Sequence, residues 1–69
     1  MKFYEVFMKL VSHGKEIGKT AVQLDATSPF MAAIQAEDAV DGRYGESVLS
    51  HTLRVSEITE DEFLYQMAA

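Results

Sequence analysis

The run "HGKEIGKTAV", residues 13–22, comes nearest to a chemical motif in this chain. A loop that cradles phosphate needs Gly, four residues, then Gly-Lys-Ser/Thr, so that backbone amides reach the phosphate oxygens and the lysine offsets their charge. Here only three residues separate Gly14 from Gly18, and "TAVQLDA" after Lys19 alternates like a strand instead of opening a helix. Spacing and context both exclude a nucleotide site, and the run is expected to be a hairpin turn.

The other reactive residue types are scattered. His13 and His51 are the only histidines and lack metal-ligand spacing, and the absence of cysteine excludes disulfides and thiolate metal sites. Ser12, Ser28, Ser47, Ser50 and Ser56 fall in expected turns, caps and strands, and none sits in a Gly-x-Ser-x-Gly elbow. Glu37, Asp38, Asp41 and Glu46 cluster on an expected exposed helix and loop, where no pocket tunes them for acid–base work. A domain of 69 residues has little room for the ~300 Å³ cleft that a small-molecule site needs. The expectation is a non-catalytic protein with no cofactor and no metal.

The elements that must position these residues read as one domain, residues 1–69. "FYEVFMKLV", residues 3–11, predicts a strand apolar on both faces: Tyr4, Val6, Met8 and Leu10 line one, and Phe3, Phe7 and Val11 share the other with Glu5 and Lys9. After turn chemistry at Gly14 and Gly18, a second strand is expected over about Ile17 to Asp25. "TSPFMAAIQAEDAVDG" predicts a helix with Ser28 as N-cap, Pro29 at the first helical position and Gly42 as C-cap, burying a stripe of Phe30, Ala33, Ala36, Val40 and Tyr44. "VLSHTLRVSEI", residues 48–58, predicts a third strand with Leu49, Leu53 and Val55 on one face and Thr52, Arg54 and Ser56 on the other. The parity of Leu49 and Leu53 makes His51 a half-buried core histidine, while His13 is expected in solvent. Thr59 and Glu62 have the spacing of a capping box, and Ile58 with Phe63 that of a hydrophobic staple, so a short C-terminal helix follows.

The connections place the third strand antiparallel to the first. The predicted fold is α+β: a three-stranded antiparallel sheet of order 2-1-3, ββαβ topology, the main helix on one face and the short helix after it. Phe3 and Phe7 on the second face then require a cover. Either the C-terminal helix folds across them, or a partner does, with Phe3, Phe7, Phe63 and Met67 as the apolar contact residues and a homodimer as one form of it.

Charge bears on partners. Four Lys and two Glu in residues 1–24 leave +2, whereas two Arg against nine Asp and Glu in residues 25–69 leave −7, together the net −5. Nucleic acid binds proteins through cations that release its counterions, so direct nucleic-acid binding is not expected and a basic protein surface suits the chain better. "MKFYEVFMKLV" lacks the continuous apolar run of a secretory leader, and no stretch nears the ~20 apolar residues of a membrane span. A cytoplasmic protein without membrane contact is expected.

"VQLDATSPFMAAIQAEDAV" followed by "LRVSEI", within residues 16–58, resembles the pattern of very small phage-encoded proteins, among them anti-CRISPR proteins and phage inhibitors of host RNA polymerase. There a strand ends in Ala-x-Ser/Thr, an alanine-rich helix follows, and the next strand carries Arg-Val. The resemblance implies stoichiometric binding to a host protein, often by acidic side chains that mimic nucleic acid in its groove; it carries over no functional residue. The expectation is an accessory inhibitor or modulator whose acids Glu37, Asp38, Asp41, Glu46, Glu60 and Asp61, with Glu57, meet a basic host surface. The alternative is a homodimeric assembly module using the apolar sheet face.

Overall fold

The computed structural model describes residues 1–45 and 47–68, with side chains through Tyr65. Its elements are β1 (Lys2–Ser12), β2 (Lys15–Ala26), α1 (Pro29–Tyr44), β3 (Val48–Ile58) and α2 (Glu60–Ala68). The three strands form one antiparallel sheet in the order β2-β1-β3, so the strand that is apolar on both faces is the central one.

The β1–β2 connection is a two-residue turn. His13 (φ 52°) and Gly14 (φ 78°) both have positive φ, as a type I′ turn requires, and Ser12 pairs with Lys15 directly behind them. Gly18, Lys19 and Thr20 lie inside β2, opposite Leu10, Lys9 and Met8. The glycine–lysine–threonine run is thus strand, with no helix N-terminus behind it.

The core lies on one face of the sheet: Tyr4, Val6, Met8 and Leu10 of β1 and Ala26 of β2 bury against Ala32, Ala36 and Val40 of α1. Val22, Leu24, Val48 and Val55 pack around this cluster from the flanking strands. Small residues at i, i+4 and i+8 of α1 let its backbone approach the sheet closely. Ser28 caps α1 as predicted, its Oγ accepting from the amide of Met31 at 3.2 Å, and Pro29 opens the helix.

Three expectations need correction. The helix does not stop at Gly42 but runs to Tyr44, and Gly45 (φ 80°) ends it, donating its amide to the Asp41 carbonyl at 2.9 Å. Glycine in a helix interior costs only about 1 kcal/mol, so Gly42 weakens the helix without breaking it. The buried line of α1 is Ala32, Ala36 and Val40, not the stripe through Phe30; Phe30 is 73% exposed, and Tyr44 is exposed as well. Six residues at roughly 100° each leave Phe30 about 120° around the helix from Ala36, outside any stripe facing the sheet.

The third correction concerns β3. Phe7 pairs with Arg54 and Met8 with Thr52, so Leu53 is an extra residue in a β-bulge. The bulge reverses the alternation. Val55 faces the core as expected, but Thr52, Ser50 and Val48 now point to the α1 side, and Leu49 and His51 join the helix-free face opposite Val11 and Lys9. Leu49 and Leu53 are 57% and 53% exposed, and His51 is exposed, not a core histidine.

At the far end, α2 begins with the predicted capping box: the Thr59 amide donates to Glu62 Oε1, and the Glu62 amide to Thr59 Oγ1, both at 3.1 Å. Phe63 stacks on Phe3 with ring centroids 4.6 Å apart. Phe3 points away from the core, so α2 lies on the sheet face opposite α1. Among the described residues, no helix is long and apolar enough to cross a membrane.

Candidate binding surface

The carboxylates of α1 are built into the fold. Glu37 is half-buried, and its Oε2 accepts a short hydrogen bond from Thr52 Oγ1 at 2.6 Å; Asp41 Oδ1 accepts from Ser50 Oγ at 3.5 Å. Both donors stand on the α1 side only because the Leu53 bulge turned them there. These contacts tie the acidic flank of α1 to β3, while Asp38 is exposed on the helix's outer side.

The same outer side carries apolar groups. Phe30, Met31 and Ile34 are all exposed, and at 100° per residue Phe30 and Ile34 fall on the same ridge as Glu37 and Asp41. An exposed aromatic with aliphatic neighbours, rimmed by acids, has the makeup of a protein-binding patch: an apolar anchor supplies affinity and the rim supplies orientation. Sequence reasoning missed Phe30, Met31 and Ile34 because it buried Phe30. The signal was present in the Ala32–Ala36–Val40 spacing, which already supplies a complete sheet-facing line.

Glu60 and Asp61, the other predicted acids, sit in the first turn of α2, where the helix dipole favours them. That places them across the sheet from α1, so the fold does not unite the six predicted acids in one surface. Glu57 pairs with Lys2 at 3.6 Å, the only ion pair among the described residues. Glu46 falls outside the described residues, as does the side chain of Met67. Of the predicted apolar contacts, Phe3 and Phe63 are used on each other, and Phe7 lies beneath the Arg54 guanidinium, 4.5 Å from its ring centroid.

Beside α2, an open cleft of about 370 Å³, larger than the chain's length was expected to allow, is lined by Glu5, Gln23, Ile58, Asp61, Glu62 and Tyr65. Gln23 Nε2 donates to Glu5 Oε2 at 2.9 Å across its floor, and Glu62 is engaged in the capping box. Three carboxylates and a phenol suit a cationic side chain, but no nucleophile–base pair is in place there to drive bond-breaking chemistry. No family model, characterised protein or solved structure matches the chain.

Proposed function

We propose that this chain is a non-catalytic binding protein that engages a basic surface of another protein through the outer ridge of α1. The observation that carries the reading is the ridge itself: exposed Phe30, Met31 and Ile34 beside Glu37, Asp38 and Asp41, none of these acids ion-paired among the described residues. Charge left unpaired inside the chain is available to a partner, and exposed acids act mainly on encounter rate and orientation. The assignment as an accessory inhibitor or modulator from a phage or mobile element, acting in the host cytoplasm, rests on the resemblance of residues 16–58 and on small size.

The test uses two baits in a bacterial lysate, the native chain and the triple variant Glu37→Lys, Asp38→Lys, Asp41→Lys, followed by measurement of association with the captured protein. The expected result is a partner held by the native chain alone, with an association rate that falls as ionic strength rises. Equal capture by both baits, or a rate indifferent to salt, would overturn the reading. Phe30→Asp provides the apolar arm, since an anchor residue should slow dissociation when intact.

A further inference from the structure

The helix-free face of the sheet is electrically and sterically two-ended. Strand pairing sets its side chains in rows across β2, β1 and β3: Asp25–Phe3–Ile58, Gln23–Glu5–Ser56, Ala21–Phe7–Arg54, Lys19–Lys9–His51 and Glu16–Val11–Leu49. The described contacts of α2 fall on the first two rows, through Phe63 on Phe3 and through the acidic cleft over Glu5 and Gln23. The last two rows are the more open ones: Lys19, His51 and Glu16 are exposed and Leu49 is 57% exposed, with Lys9 and Val11 half-buried between them. Lys9 directly opposite Lys19 sets like charge beside like charge, which costs stability within one chain. On its outward side α2 presents Asp61, Leu64 and Tyr65, the last 74% exposed.

We propose that two copies of this chain dock through this face, the α2 of each seated on the open, basic end of the other. The two-fold axis lies between the faces and crosses the strands at the Phe7 row. Glu5 and Lys9 are four residues apart, roughly 13 Å along β1, with that row midway, so the axis sets the Glu5 row over the Lys9 row of the second copy. Asp61 and the cleft then meet Lys9 and Lys19, and the exposed Leu64 and Tyr65 of α2, which covers Phe3, meet Val11 and Leu49. An axis running along the strands would instead set the basic row on itself and α2 on α2, leaving both open ends uncovered. Charge and shape therefore select the crossing arrangement. Two like-charged matches remain, Arg54 with its own copy and Asp25 with Glu16. All three of these side chains stand on the edge strands β2 and β3, at the rim of the interface, where solvent and salt screen them.

This interface is independent of α1, whose ridge is left free on the outside. The test is sedimentation of the full chain at micromolar concentration, with two charge-swapped variants. The native chain is expected at twice its 7.7 kDa mass, dissociating as salt is raised. Lys9→Glu with Lys19→Glu makes both ends acidic, Glu60→Lys with Asp61→Lys makes both basic, and each alone is expected to be monomeric. Mixed one to one they are expected to regain the dimer, since each end then meets its opposite. A native chain that is monomeric throughout overturns the proposal, as do variants that dimerise on their own. Because the chain has no cysteine, a second measurement stands apart from any folding defect of the lysine variants. Lys19→Cys and Asp61→Cys chains, mixed and oxidised, are expected to form the mixed disulfide in preference to either homodisulfide. Homodisulfides in equal or greater yield would refute the docking geometry.

Discussion

The contact between Thr52 and Glu37 is the sharpest place to perturb this fold, because it exists only by virtue of the bulge and also holds a proposed binding residue. Thr52→Val keeps the shape of the side chain and removes the hydroxyl. A hydrogen bond to a charged group contributes about 1.5–3 kcal/mol when buried. Both partners here are half-buried, so Glu37 regains water in the variant and roughly half of that range is lost. Valine and threonine are both strand formers, and the added methyl faces α1, which returns a few tenths of a kcal/mol. The expected net loss is about 1 kcal/mol, which for a domain of this size lowers Tm by roughly 4–8 °C.

Thermal and urea unfolding of Thr52→Val, Glu37→Ala and the double variant give the coupling energy directly, with Thr52→Ser as the variant that keeps the hydroxyl. A coupling near 1 kcal/mol is expected from such a cycle. If Thr52→Val melts with the native chain and the coupling is zero, Thr52 does not hold Glu37, and the account of how β3 orders the acidic flank of α1 fails. Binding adds a second readout: losing the tether should slow partner association less than removing the Glu37 charge does.

Three further perturbations probe other parts of the fold. Deleting Leu53 should be tolerated, because Arg54 and Thr52 already pair with consecutive residues of β1. Deleting Ser50 instead would move Val48 and Leu49 to the wrong faces, so a melting temperature for the Leu53 deletion below that of the Ser50 deletion would refute the bulge. His13→Asn should raise stability by about 0.5 kcal/mol in denaturant titration, since asparagine tolerates the positive φ of the turn better than histidine; a loss of stability would contradict the type I′ geometry. Phe63→Ala removes a half-buried ring that meets Phe3. A fully buried Phe→Ala costs ~3–5 kcal/mol, so roughly half is expected here, with amide exchange rising in α2 while the β1 core stays protected.

Much of the architecture was legible in the residues for reasons that can be named. Ser28–Pro29 fixes a helix start because the hydroxyl supplies an acceptor and proline lacks the amide that a first turn cannot use. Thr59 and Glu62 satisfy each other's amides. The 3–11 segment, apolar on both faces, demanded the centre of the sheet, and the strand order followed. The bulge at Leu53 left no such mark: Leu49, Leu53 and Val55 share one parity, so alternation counted from either end looks sound and is wrong beyond the break. That one slip misplaced His51, Leu49 and Thr52 together. The α1 surface was missed for a different reason. In an alanine-rich helix several stripes look equally apolar, and only contact with β1 decides that Ala32, Ala36 and Val40 are the buried line.

The sheet is what separates the two proposed surfaces, and their separation has a consequence. α1 covers one face and α2 the other, so no single flat partner can touch both Glu37 and Asp61. If α2 is engaged by a second copy, each α1 ridge lies on the outer side of its sheet, and the dimer offers two acidic ridges facing in opposite directions. A partner protein with one basic site would then bind two to a dimer, and a repeating basic surface would be bridged, with the gain in apparent affinity that tethered sites give. Stoichiometry discriminates between the arrangements: calorimetry on the charge-swapped monomers and on their restored dimer should give the same number of partner molecules per chain, because α1 is free in both. A drop to one partner per dimer would mean that the ridges interfere or that docking covers them, and the in-plane axis crossing the strands at the Phe7 row would be the wrong one.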